Sequence, residues 1–201
     1  HLVVTRDPET GAENVGCYRV MVHEPDKLAL YISPGKHGRM HMEKTLRAGK
    51  PVQVAMAFGQ HPLMFVAASQ AVPPGVSEYA WAGGLVEQPL SVIEAPLTGL
   101  RVPAAAEIVV EGEITPGDTR PEGPFGEWTG YYASARRAEP VVQLKAVYHR
   151  DDPILTAAPP FRPTIHGMYR SMLRSAMIWN GVERGGVPDV CGVYVPPPAQ
   201  R

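Results

Sequence analysis

Proline and glycine recur so evenly along this chain that they limit it to short, frequently interrupted elements. The 22 prolines and 20 glycines are spread through all 201 residues, so they punctuate strands and loops and do not mark a disordered tract. Between the breaks, apolar and polar residues alternate with a period of two, the pattern of half-buried strands. Val20 to Val22 begins one strand, and Lys27 to Ile32 follows the Pro25-Asp26 turn. Val52, Val54, Met56 and Phe58 share one face of another. Leu90 to Glu94, Ile108 to Ile114 and Val141 to Tyr148 complete the set. The pattern places Glu111 and Glu113 opposite Ile108, Val110 and Ile114, on a wet face. Two stretches read as helices: Arg39 to Ala48, closed by Gly49, and Ile165 to Asn180, closed by Gly181. The second carries an apolar stripe of Ile165, Met168, Tyr169, Met172, Ala176 and Trp179, which suits packing against another domain or subunit. Val187 to Val195 reads as one further strand, with its pairing partners expected outside this sequence. Many short strands and few helices predict a mainly β, α+β fold: a small β-barrel with helical additions.

Composition excludes several classes. A net charge of −1 leaves no electrostatic footprint for nucleic acid or an anionic membrane. No apolar run approaches the roughly 18 residues that a membrane-crossing helix requires. Cys17 and Cys191 have no metal-binding or redox spacing and read as reduced thiols of a cytoplasmic protein. The chain starts at His1 and stops soon after Pro196-Pro197-Pro198, so it reads as a piece of something longer.

The chemistry concentrates in Glu122-Gly-Pro-Phe-Gly-Glu127. Its glycines and proline have the composition of a turn, which can bring two carboxylates to one cleft. Neighbouring carboxylates push their proton affinities apart, so one can act as a general acid while the other stays ionised. A surface turn that happens to hold two glutamates is the plain alternative. Four further places stand out: Asn14-Val-Gly-Cys-Tyr-Arg19, Gly35-Lys-His-Gly38, Ala67-Ala-Ser69, and Glu78 after the Pro73-Pro74-Gly75 turn. Taken singly, each is ordinary, as a turn, a solvated histidine or a helix cap.

Together and in order, these segments resemble the UbiD family of decarboxylases, which use prenylated flavin mononucleotide. The likeness also covers Thr5-Arg-Asp-Pro-Glu-Thr-Gly11, the run from Val102 to Gly112, and Thr129-Gly-Tyr-Tyr132. The resemblance implies that Arg19, Glu122 and Glu127 form the catalytic network. Glu127 would protonate the carbon left by departing carbon dioxide, and Glu122 would hold Arg19. It implies that Asn14, His37 and Glu78 bind a divalent ion, Mn²⁺ or Mg²⁺, that bridges to the prenylated FMN phosphate. Oxygen donors with one imidazole suit either ion. Allowing a one-residue gap, Ala68 and Ser69 match a stretch that approaches the cofactor and a K⁺ ion. Gly16, Cys17, Tyr18 and Lys36 complete the expected cofactor-binding set.

The resemblance further implies a split β-barrel like that of flavin reductases over residues 1–161, a connecting helix over 162–186, and over 187–201 the first strand of a truncated C-terminal domain. Family members are longer at both ends, and their C-terminal part supplies much of the oligomer interface. The implied activity is reversible, non-oxidative decarboxylation of an aromatic or α,β-unsaturated acid. The partners are then the small carboxylic acid, a flavin prenyltransferase that supplies the cofactor, and further copies of the chain, with no nucleic acid and no membrane. A second reading is a flavin-binding or assembly module completed by another polypeptide. A third, a split-barrel flavin reductase, has no use for a glutamate–arginine set.

Overall fold

The computed structural model describes residues 1–73, 75–126, 131–132, 134–157 and 167–196. In chain order its elements are β1 (Leu2–Arg6), β2 (Glu13–Gly16), β3 (Arg19–Glu24), β4 (Lys27–Tyr31), α1 (His37–Arg47), β5 (Val52–Phe58), α2 (Pro62–Ser69), α3 (Glu78–Leu85), β6 (Val92–Glu94), β7 (Arg101–Pro103), β8 (Ile108–Glu122), β9 (Arg137–His149) and α4 (Gly167–Arg184). The chain is thus mainly β with helical additions, as the alternation predicts. Two compact units are distinguished. The first comprises residues 1–123 and 136–157, and the second residues 124–135 and 158–201.

The first unit is built on a seven-stranded sheet of order β2-β1-β5-β8-β9-β4-β3, with antiparallel pairing throughout. Its two edge strands are consecutive in the chain. In a flat sheet six strand spacings would separate them by about 29 Å. Only Cys17 and Tyr18 join Gly16 to Arg19, a link that spans at most about 11 Å. The sheet must therefore curl until its edges approach at that point, which is the geometry of a barrel left open along one seam. Tight curling is what brings residues from distant strands to one place.

Curling gives the sheet two buried faces. Leu2, Val4, Val15, Ala55 and Ala57 face outward and are covered by Met64 and Ala67 of α2, Ala82 of α3, and Leu100 and Val102. Val3, Val54, Met56, Leu28, Leu30, Val110, Ile114 and Val142 face inward, joined by Met42 of α1. Burial on both faces explains why the apolar run of β1 shows no alternation and is not legible as a strand. It also corrects the expectation for Glu111, which is fully buried and not wet. Its carboxylate accepts N–H bonds from Leu97 (3.1 Å) and Thr98 (2.6 Å), and the Thr98 hydroxyl at 2.6 Å. Glu113 does reach solvent, paired with Lys145 at 2.8 Å.

The strands expected from Val20 to Tyr148 and the first helix lie where the periodicity places them, within a few residues at the ends except that β8 runs on to Glu122. Helices α2 and α3 escape sequence reading because α2 is apolar on nearly every side and α3 contains Gly83-Gly84. In the second unit α4 runs close to the expected span. Met172 of its apolar stripe is 65% exposed. The segment expected as a strand, 187–195, pairs with no strand among the described residues; it returns to α4, where Val195 N–H donates to Ser175 Oγ at 3.1 Å. Among the described residues no helix is long and apolar enough to cross a membrane.

Candidate functional site

Arg19 opens edge strand β3 and Glu122 closes β8, three strands away across the sheet. On the sheet face opposite Val20, Leu30 and Val142 the two side chains meet. Arg19 Nη2 donates to Glu122 Oε2 at 2.8 Å and Arg19 Nε donates to Glu122 Oε1, so the guanidinium grips the carboxylate with two parallel bonds. The Glu122 side chain is fully buried and that of Arg19 is 16% exposed. Glu122 is therefore the last strand residue, opposite Arg137, and the turn begins at Gly123, whose φ of +87° favours glycine.

The bridge crosses a platform that sequence reading missed. Tyr31, the cross-strand partner of Arg19, carries the Arg19 guanidinium 4.9 Å from its ring centre and that of Arg137 at 3.6 Å. Arg137 also pairs with buried Glu139 at 2.6 Å. Burial lifts the Glu139 carboxyl above the ordinary range; Arg137 pulls it down, and the Glu122 charge adds to the rise. The Pro25-Asp26 hairpin does not by itself reveal Tyr31, because a bulge between Val22 and Glu24 shifts the register that pairs it with Arg19.

A second group forms one residue earlier in the chain. Asn14, on β2, is buried, and its amide nitrogen donates to the Tyr18 hydroxyl at 2.9 Å. The Gly38 N–H donates to the same hydroxyl at 3.4 Å, which draws the start of α1, and with it His37, toward β2. Glu78, the first residue of α3, is buried and accepts the Val15 N–H at 3.2 Å. Burial raises its carboxyl, while N–H bonds and the nearby His37 oppose the rise. Asn14, His37 and Glu78 thus come from three elements to one neighbourhood. Among the described residues no three His, Cys, Asp or Glu side chains gather, so a metal here would need the Asn14 amide as well.

The remaining expected residues surround this group. The Cys17 N–H donates to Ala68 O at 3.1 Å, joining the edge-to-edge link to the end of α2. Ser69 Oγ donates to Val66 O at 2.9 Å. Gly16 packs directly against the Tyr18 ring, and Lys36 stands exposed as the N-cap of α1. Glu127 lies outside the described residues.

Comparison with known proteins covers the same part of the chain. The sequence pattern of the UbiD 3-octaprenyl-4-hydroxybenzoate carboxy-lyase Rift-related domain matches residues 1–163. An uncharacterised protein of Aquifex aeolicus is 35% identical over 96% of this chain and 40% of its own length. A phenolic acid decarboxylase of Bacillus subtilis is 38% identical over 76% of this chain and 33% of its own. Among solved structures, a dimeric form of the UbiD-class enzyme HmfF from Pelotomaculum thermopropionicum, in complex with prFMN, superposes with a TM-score of 0.85 at 38% identity, over 98% of this chain and 45% of that one. Vanillic acid decarboxylase of Sedimentibacter hydroxybenzoicus superposes at 0.86 with 30% identity, over 95% and 41%. The chain spans less than half the length of these relatives.

Proposed function

The chain belongs to the UbiD family, and on that premise we propose that its protein decarboxylates an aromatic or α,β-unsaturated carboxylic acid with prenylated FMN. The observation that carries this reading is the buried, doubly bonded Arg19–Glu122 pair, in the same unit of the chain as the Asn14, His37 and Glu78 group. Prenylated FMN, when bound, supplies the electron sink that decarboxylation needs and that side chains lack. Arg19, held along one edge by Glu122, offers its guanidinium to negative charge at the site. Glu127, five residues beyond Glu122, delivers a proton to the carbon that has lost carbon dioxide.

The donor set fits a hard divalent cation. Glu78 is a buried carboxylate with no lysine or arginine ion-paired to it among the described residues, and a cation is the partner that would ionise it. Asn14, His37 and Glu78 would hold Mn²⁺ or Mg²⁺ against the cofactor phosphate, and the segment at Ala68 and Ser69 would approach K⁺. The partners are a small carboxylic acid, a flavin prenyltransferase and further copies of the chain.

The test is Glu127→Gln in the full-length protein loaded with prenylated FMN, Mn²⁺ and K⁺. Carbon dioxide release should fall at least about 100-fold while the flavin absorption spectrum is retained. An undiminished rate removes Glu127 as proton donor; no release from the unsubstituted protein with any aromatic or unsaturated acid favours a binding module.

A further inference from the structure

An asparagine serves a cation only through its oxygen, because the amide nitrogen carries hydrogens and offers no lone pair. A side-chain amide that can turn over presents the wrong end as easily as the right one. Something must choose the end, and here one side chain is placed to do it.

We propose that Tyr18 is the positioning residue that turns the Asn14 oxygen toward the ion, a role that rests on the reading of Asn14, His37 and Glu78 as divalent-ion ligands. The Tyr18 hydroxyl takes the Asn14 amide nitrogen at 2.9 Å, which commits the NH₂ end and leaves Oδ1 on the other side. The hydroxyl itself cannot wander. The ring occupies the space that a Cβ on Gly16 or Gly38 would need, since such atoms would stand 2.3 Å from Cζ and 2.8 Å from Cε2. Any side chain at either position would displace the ring. The same hydroxyl accepts the Gly38 N–H at 3.4 Å, so one oxygen gauges both the Asn14 amide and the helix start that carries His37.

A second tie holds that spacing one helical turn further on. Thr5 is the cross-strand partner of Asn14, and its hydroxyl meets His41 Nδ1 at 3.1 Å, four residues after His37 on α1. Strand β1, strand β2 and helix α1 are thus locked together around Asn14. Within this frame the Tyr18 hydroxyl meets the amide whose direction matters.

The experiment measures Mn²⁺ affinity by the electron paramagnetic resonance of the free ion. The full-length protein is compared with Tyr18→Phe, Asn14→Asp and the double variant, each checked by thermal melting. Removing an outer partner of a metal ligand costs about 10-fold in affinity, which is the loss expected for Tyr18→Phe. A carboxylate has two equivalent oxygens and no wrong end. In the Asn14→Asp background the same Tyr18→Phe change should therefore move affinity by no more than about twofold. Equal affinity in the unsubstituted protein and Tyr18→Phe overturns the proposal while leaving the metal reading intact. The same loss in both backgrounds overturns it too, since a ring that merely props the fold would not distinguish amide from carboxylate. No specific Mn²⁺ binding by the unsubstituted protein removes the metal reading itself.

Discussion

Three buried carboxylates on this chain meet three different fates, and the difference is chemical. Glu122 is held by the Arg19 guanidinium. Glu111 is held by neutral donors from Leu97 and Thr98; burial pushes its carboxyl up, but those bonds outweigh it and leave it below the ordinary value. Among the described residues Glu78 accepts an N–H bond from Val15, and burial leaves its carboxyl raised. Asp7 shows the opposite shift. Lys44 at 2.8 Å, then the Glu9 N–H, hold its carboxyl down from 3.8 to about 2. The unfolded chain then binds this proton more readily than the folded one. Its contribution is full above the unfolded pKa and is lost as pH falls through about 4 toward 2. Urea unfolding across that window should show a shallower loss of stability on acidification in Asp7→Asn; parallel curves would disprove the assignment. Arg19 and Glu122 were recognisable from their motifs. Tyr31 was not, because its place beside Arg19 depends on a hairpin register that includes a bulge.

Among the elements, β8 bears the most constraint. It runs 15 residues and pairs with β9 through two register shifts, one between Glu111 and Gly112. Such a bulge bends the strand and adds twist, which the curled sheet needs. Gly112 sits where the partner strand presses closest: a Cβ there would stand 2.5 Å from Gln143 O and 2.7 Å from Val142 Cγ1. Backbone cannot yield as a side chain can, so Gly112→Ala should cost about 1–3 kcal/mol. Gly84, inside α3, has nothing within 4 Å of its would-be Cβ, so Gly84→Ala should gain up to about 1 kcal/mol. Urea midpoints at unchanged slope report both, and a neutral Gly112→Ala would mean that β9 can move away. The strand itself was visible as alternation from Ile108, but its extension to Glu122 was hidden by Pro116, Gly117 and Pro121.

At the scale of the whole molecule, stability should follow the doubly covered sheet. Strands β1 and β5 contribute to the cores on both faces, whereas α4 leaves Met172 and Ile178 at 65% and 45% exposure. Hydrogen exchange read by mass spectrometry should find the slowest amides in β1 and β5 and faster ones in α4. Uniform protection across both would contradict that gradient. Short-range chemistry along the chain determined where strands break, which faces are apolar and which residues can hold charge, because turns and alternation depend on a few neighbours. Only the tertiary structure decided that Arg19 would grip a glutamate 103 residues away. That meeting needs the register of four strands and the curl of the sheet together, and no local stretch of residues encodes either.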